Sequence, residues 1–223
     1  MSTITIQKAT VADKNIIDQI VNIHLATFKG FFLTFMGKGF LKQMYASYVK
    51  HSNSDILIAV DGEHVLGFLA YSEQMSSLYK YMICHRLIPF AWYSLGAFLR
   101  KPKVFMRLIR AFLKPSESHR NERYVELASI GVHPSAKSNG IGSQLIDALK
   151  SEVDFQVFAY ITLETDAVNN EAANHFYVKN DFSITREFET HEGRKMYEYR
   201  YKGDKHAPKT KASLHTERCQ KSE

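Results

Sequence analysis

The feature that most constrains the fold of this chain is an apolar, β-prone segment. It leads directly into a glycine-containing turn and an amphipathic helix. Residues 125–132, VELASIGV, predict a strand, and the proline at 134 ends it. Apolar residues at helical spacing then predict a helix over 141–150. In the turn between them, Gly140 and Gly142 let the backbone approach a ligand closely, and the first amides of the helix lack partners within it. A turn of this kind is typical of a phosphate-binding site.

The same succession of strand, turn and helix recurs downstream. Residues 160–165 predict an apolar strand, 166–169 a turn, and 171–179 a helix whose apolar face includes Ala172, Ala173 and Phe176. Asp181 follows this helix, and aspartate tolerates the left-handed conformation in which many helices end. The spacing N-x-x-A-x-x-[FL]-Y-x-x-x-x-F is met by Asn170, Ala173, Phe176, Tyr177 and Phe182.

Together these two segments resemble the paired motifs of the GNAT superfamily of acyl-CoA-dependent N-acetyltransferases. Residues 137–142, KSNGIG, are similar to its [Gln/Arg]-x-x-Gly-x-[Gly/Ala] loop, with Lys137 in the first position, and Asp181 stands where the family usually has glycine. The resemblance implies acetyl-CoA as cosubstrate, with its pyrophosphate on the backbone of the turn and its pantetheine arm along the preceding strand. The residues implied to contact it are Ile130, Gly131, Val132, Lys137, Ser138, Asn139, Gly140, Ile141, Gly142, Ser143, Asn170, Ala173 and Phe176.

Acetyl transfer from a thioester to an amine needs a base for the amine and a proton for the departing thiolate. By resemblance Tyr177 is the general acid, and a phenol with a reference pKa of about 10 stays protonated at neutral pH. Glu126 is the implied general base, because it lies eleven residues before Lys137, the interval seen in histone-acetylating members. Glu164 is the competing base, as in relatives that acetylate ribosomal proteins.

Each of these side chains also has an ordinary structural interpretation. A tyrosine at position 177 can simply pack between helix and sheet, and strand glutamates such as Glu126 and Glu164 are as often solvated or ion-paired. Asn170 can close a turn or cap a helix. His24 lies on the first predicted helix, which lines the acceptor pocket in the family, but a histidine there is more often a core or surface residue.

The remaining segments predict a strand over 3–8, helices over about 14–25 and 39–49, a hairpin over 55–73 around Asp61-Gly62, and a last hairpin over 184–201. The predicted fold class is α/β (α+β): a GNAT fold with a mixed, mostly antiparallel sheet, splayed parallel central strands, helices on both faces and a basic helical insert. We predict a single domain over 1–202, followed by a disordered polar tail over 203–223.

Composition narrows the function classes further. Cys84 and Cys219 are far apart, which argues against a disulfide framework and favours a reducing, cytoplasmic setting. No leader opens the chain, and its longest nearly apolar run, 87–99, falls short of the roughly 20 residues of a membrane span. No histidine pair has metal-site spacing, so we expect no metal. No nucleic-acid motif accompanies the net charge of +6, so we expect no nucleic-acid partner.

Residues 74–116 form an insert where GNAT proteins need only a few residues, and it contains eight Lys or Arg and no Asp or Glu. The cations at 103, 107, 110 and 114 predict a basic amphipathic helix. Three uses stay open. The insert could be a solvated lid or homodimer face, a cap that binds an anionic acceptor, or a surface that docks on the anionic inner membrane face through Trp92, Tyr93 and Phe98.

The resemblance therefore predicts an enzyme, an acyltransferase that moves acetyl from acetyl-CoA to a primary amine by direct attack. The basic insert favours a neutral or anionic acceptor such as a nucleotide-linked amino sugar, and residues 37–41 and 193–199 look like GNAT proteins of bacterial surface-polysaccharide gene sets. A protein, a peptide or another small amine is the alternative acceptor. The alternative outside enzymes is a non-catalytic acyl-CoA-binding or regulatory module.

Overall fold

The computed structural model describes residues 4–10, 14–100, 102, 122–190 and 193–203. The strands in this part of the chain are β1 (Thr5–Lys8), β2 (Ser54–Asp61), β3 (His64–Ser72), β4 (Tyr124–Val132), β5 (Tyr160–Asp166), β6 (Ser183–Glu189) and β7 (Lys195–Tyr201). The helices are α1 (Lys14–Thr27), α2 (Phe32–Met36), α3 (Lys38–Lys50), α4 (Met75–Arg100), α5 (Ile141–Glu152) and α6 (Glu171–Lys179), and a 3-10 turn spans Pro134–Ala136.

All seven strands belong to one sheet, in the order β1-β2-β3-β4-β5-β7-β6. Neighbouring strands are antiparallel except β4 and β5, which are parallel. The parallel pairing covers only three residue pairs, from Tyr124–Tyr160 to Glu126–Thr162. The predicted fold class is therefore confirmed, including the two parallel central strands that separate.

A bulge in β4 marks the point where these two strands separate. On the β3 side, Ala70 pairs with Ser129 and Tyr71 pairs with Leu127, which leaves Ala128 as an extra residue. A bulge bends a strand and increases its local twist. Because the last β4–β5 pair is at Glu126, residues 127–132 diverge from β5 and open a cleft between the central strands.

Helices cover both faces of the sheet, and each face has its own hydrophobic core. On the α1–α3 face, α1 and α3 pack over a cluster that includes Tyr45. On the α5–α6 face, α5 and α6 pack over a cluster that includes Tyr177. Successive side chains of a strand point to opposite faces. Leu127 belongs to the α5–α6 cluster, so Glu126, one residue before it on β4, points to the α1–α3 face.

The sequence analysis did not give separate bounds for two of these helices. Helix α2 is only five residues long, which is too short to give a periodic signal. Helix α4 runs for 26 residues through Pro89, within the segment predicted as a helical insert. The basic amphipathic helix predicted over 103–114 lies outside the described residues. So do residues 11–13 before the first predicted helix, residues 191–192 of the last predicted hairpin, and positions 204–223 of the predicted tail.

Candidate active site

The turn after β4 has the backbone geometry of an anion-binding loop. Ser138 and Gly140 both adopt the left-handed conformation, with φ of 69° and 72°. Backbone amides in such a turn point into a common concavity. Gly140 is the N-cap of α5 and offers no side-chain cap, so the amides of Ile141, Gly142 and Ser143 have no partner within the helix. This arrangement fits a phosphate group well, because the helix N-terminus also carries partial positive charge.

The upstream and downstream motifs are in direct contact. A Cβ on Gly142 would lie 3.0 Å from the ring of Phe176, so the missing side chain at Gly142 allows α6 to pack against the first turn of α5. Ala173 is half-buried against the same core. Ala172, which was predicted on the same apolar face, is exposed. Phe176 therefore forms one wall beside the loop, and its contact with acetyl-CoA stays a prediction.

Asn170 closes the turn between β5 and α6. Its side-chain amide donates to Thr165 Oγ1 at 2.8 Å and to the backbone oxygen of Asp166 at 3.1 Å. It lies at the N-cap position of α6 but makes no side-chain cap. These contacts match the turn interpretation. At the other end of α6, Asp181 has a φ of 64°, the left-handed conformation predicted for it.

Tyr177 lies on α6 with its ring among other aromatic side chains of the α5–α6 face. It is 9% exposed, and its ring centroid is 5.5 Å from that of Tyr199 and 6.1 Å from that of Phe182. Burial, with a smaller contribution from Tyr199, raises the pKa of Tyr177, so its hydroxyl is protonated at neutral pH. Among the described residues, no hydrogen-bond partner of this hydroxyl is found. Within the part of the chain that the structure describes, this protonated hydroxyl is thus not engaged by another side chain.

Glu126 and Glu164 lie on the α1–α3 face, near the first turns of α4. Glu126 pairs across the sheet with Thr162, and Glu164 is two residues further along β5, so the two carboxylates share a face. Burial raises the pKa of Tyr79 on α4, and the negative charges of Glu126 and Glu164 raise it further. Both carboxylates are thus close enough to Tyr79 to act on it. The structure brings the two predicted bases together but does not choose between them.

Glu198 is a buried carboxylate beside this group that the sequence analysis did not identify. It lies on β7 opposite Glu164, is 1% exposed, and contacts Arg200 Nε at 2.7 Å and Arg186 Nε at 3.3 Å. Arg186 also reaches Glu164 at 3.7 Å. Alternation in the last hairpin could have placed Glu198 on this face, but only the strand pairing shows which carboxylates become neighbours. Glu164 therefore belongs to a charge network with Arg186 and Glu198.

A second buried polar group joins α1 and α3 beneath β4. His24 is 3% exposed, and its Nδ1 lies 2.6 Å from the hydroxyl of Tyr45, which also bonds to Ser129 on β4. Burial lowers the pKa of His24 to about 4. The other ring nitrogen, Nε2, is buried without a hydrogen-bond partner among the described residues. His24 is therefore a neutral core residue at neutral pH, the commoner of the two interpretations.

The cleft between β4 and β5 connects these groups. Glu126 approaches it from the α1–α3 face, Tyr177 lies on the α5–α6 face, and the phosphate-type turn follows the end of β4. Ile130, Gly131 and Val132 form the stretch of β4 that no longer pairs with β5. Among the described residues, no group of three or more His, Cys, Asp or Glu side chains could hold a metal ion. The groups that border the cleft are carboxylates, a phenol and a turn with the backbone geometry of an anion-binding loop.

Comparisons with known proteins agree with this fold. The family model described as the acetyltransferase (GNAT) family matches residues 17–182. No curated protein matches the sequence. An N-acetyltransferase from Staphylococcus aureus Mu50 has a similar structure, with a TM-score of 0.57 and 16% identity over 90% of this chain and 99% of that chain.

Two further structures extend the similarity. The ribosomal-protein-S18-alanine N-acetyltransferase from Escherichia coli matches with a TM-score of 0.54 and 13% identity over 92% of this chain and 99% of its own. NAA60 from Arabidopsis thaliana, solved in complex with acetyl-CoA, matches with a TM-score of 0.52 and 16% identity over 90% of this chain and 98% of its own. At these identities the likeness concerns the fold.

Proposed function

Because the chain belongs to the GNAT acetyltransferase family and is an acyltransferase that uses acetyl-CoA, we propose that it acetylates a primary amine by direct attack, with Glu126 as general base and Tyr177 as general acid. The observation that carries this proposal is the placement of these two side chains on opposite faces of the sheet at one level of the β4–β5 cleft. A transfer between two substrates that meet in the cleft needs a base on one side and an acid on the other.

The strand register supports the placement of Glu126 and Tyr177 at one level of the β4–β5 cleft. Glu126 is opposite Thr162 on β5, and the next residue along β5, Leu163, pairs with Tyr199. The ring of Tyr177 packs on Tyr199. In the register of β5, the position of Glu126 is thus one residue from the strand pair on which Tyr177 packs. The two side chains lie on opposite faces of the sheet at this level.

In the proposed reaction, Glu126 accepts a proton from the amine, directly or through one water molecule, as the nitrogen forms a bond to the thioester carbon. Backbone amides of residues 130–132 stabilise the oxyanion. The carbon–sulfur bond then breaks, and Tyr177 donates its proton to the departing thiolate. Because burial raises the pKa of Tyr177, its hydroxyl carries the proton at neutral pH before the thiolate departs. No covalent intermediate with the protein is required.

Glu164 remains the alternative base. It contacts Arg186 at 3.7 Å, beside Glu198. A variant of each residue separates the two cases.

The acceptor that we propose is neutral or anionic, and a nucleotide-linked amino sugar meets this description. The support is the charge of residues 74–116, which contain eight cations and no acidic residue. A cationic protein tail would be repelled by this segment, whereas a diphosphate would be attracted. Peptide and protein acceptors are the alternative, and the Escherichia coli relative with the same fold is an enzyme that acetylates a ribosomal protein.

The test is release of free CoA from acetyl-CoA by the purified full-length protein. Separate reactions would contain nucleotide-linked amino sugars, free amino sugars, polyamines, amino acids or N-terminal peptides. Turnover with nucleotide-linked sugars alone supports the whole proposal, and turnover with peptides alone retains the reaction but refutes the acceptor. Acetyl-CoA binding without turnover in any pool would favour a non-catalytic acyl-CoA-binding module.

A further inference from the structure

The solvent-facing side of α4 is apolar over most of its length. Ile88 is 82% exposed, Trp92 73% and Leu99 71%. The other members of this surface are Ile83, Leu87, Leu95 and Phe98, all of them exposed large hydrophobic residues. At 100° per residue these seven side chains occupy about half of the helix circumference. We call them the α4 apolar face.

The opposite side of α4 packs on α3. The rings of Phe90 and Phe40 are 4.8 Å apart, and Arg86 Nη1 donates to Gln43 Oε1 at 2.8 Å. The ring of Tyr93 also contacts Gly39. The helix is thus anchored to the domain along one side, so the α4 apolar face is a fixed feature of the surface. A contiguous apolar surface of this extent marks an interaction site.

The charge of α4 and of the residues after it indicates which kind of partner the α4 apolar face binds. Helix α4 contains Lys80, Arg86 and Arg100 and no acidic residue, and residues 101–116 add five more cations and again no Asp or Glu. A second copy of the chain would bring an equally basic segment against this one, which like-charge repulsion disfavours. An anionic surface is complementary instead. Within the described residues, no helix is long and apolar enough to cross a bilayer.

We propose that the α4 apolar face docks on the surface of a lipid bilayer that contains anionic headgroups, with α4 lying in the plane of the interface. The apolar side chains enter the boundary between headgroups and acyl chains, and the cations of the segment bind the anionic lipids. Trp92 suits this boundary, because an indole ring combines an apolar body with a polar N–H group. The interaction does not depend on the proposed acetyl transfer.

Trp92 is the single tryptophan of the chain, so its fluorescence reports directly on this face. The experiment adds full-length protein to vesicles of phosphatidylcholine with phosphatidylglycerol and, separately, to vesicles of phosphatidylcholine alone. We expect a blue shift of the emission with the anionic vesicles only, quenching by brominated acyl chains, and a weaker shift as salt is added. The double variant Ile88→Ser/Leu99→Ser should lower partitioning by about tenfold or more.

A matched double variant, Val157→Ser/Val168→Ser, removes exposed apolar side chains elsewhere on the surface and should partition like the wild type. Neither pair belongs to the candidate active site, so CoA release in lipid-free buffer should be unchanged in both. The proposal is overturned if emission is unaffected by anionic vesicles, or if both lipids give the same shift. It is also overturned if the shift appears without lipid as protein concentration rises and light scattering shows two chains, because the face would then bind a second copy.

Discussion

Replacing His24 by asparagine tests how burial of a single imidazole makes the fold sensitive to acid. Burial lowers the pKa of His24 to about 4, whereas the unfolded chain has the ordinary value of 6.5. As the pH falls through this interval, His24 binds a proton in the unfolded state but not in the folded state. The free energy of unfolding therefore falls as pH decreases from about 6.5 to about 4, and this contribution is absent at higher pH.

The size of the effect follows from the shift. A displacement of about 2.5 pKa units at 1.36 kcal/mol per unit corresponds to a loss of about 3 kcal/mol across the interval. Asparagine does not titrate, and its side-chain amide can occupy the place of Nδ1 beside the hydroxyl of Tyr45. The His24→Asn variant should be less stable than the wild type at neutral pH, because it loses ring packing on Phe28. Its stability should nevertheless fall less on acidification.

The assay is urea unfolding followed by circular dichroism, in steps from about pH 7.5 to about pH 4, the interval over which the two pKa values differ. Carboxylates that titrate in the same range affect both proteins, so the difference between wild type and variant isolates His24. That difference should shrink by about 3 kcal/mol toward low pH. The matched control His64→Asn removes an exposed histidine and should run parallel to the wild type. Parallel curves for His24→Asn as well would refute the reasoning.

Four further outcomes follow from the site. Tyr177→Phe should lower kcat by about a hundredfold with little change in acetyl-CoA binding, while Tyr201→Phe, in the same aromatic region, should not, as measured by steady-state CoA release. Glu126→Gln should flatten the acid limb of the pH–rate profile, and a retained limb would assign the base elsewhere. Gly140→Ala should cost about 1 kcal/mol of unfolding free energy and weaken acetyl-CoA binding, because φ is 72° there; unchanged values in thermal unfolding and calorimetry would contradict this. Glu198→Gln should cost about 2 kcal/mol in urea unfolding, since a buried charge-assisted contact to arginine is lost, and a smaller loss would mean that water replaces it.

The sequence was most informative where local chemistry and periodicity agree. The strand–turn–helix segments at β4–α5 and β5–α6, the Asp61-Gly62 hairpin and the left-handed Asp181 were all predicted, because each depends on residues close in sequence. The contact between Gly142 and Phe176 is different in kind. The motif predicts that both residues belong to the site, but only packing shows that the glycine makes room for the ring.

The sequence did not predict contacts between residues that are far apart along the chain. Glu198 looks like any strand glutamate until the pairing of β5, β7 and β6 places two arginines beside it. The bulge at Ala128 likewise depends on the register between β3 and β4, which no local signal encodes. The apolar composition of α4 is evident in the sequence, but a buried helix would have the same composition. Its exposure is visible only in the fold.

The short pairing between β4 and β5 has a consequence for the dynamics of the free protein. Three residue pairs are the direct link between a half-sheet of β1 to β4 and a half-sheet of β5 to β7, so backbone amides next to the cleft have few partners to protect them. We expect residues 127–132 to exchange hydrogen with solvent faster than the middle of β2 or β3. A ligand that bridges the cleft would slow this exchange, and at a hundred times its Kd it would add about 2.7 kcal/mol to the free energy of unfolding. The melting temperature of this chain is therefore a property of the protein together with the concentration of its acyl donor.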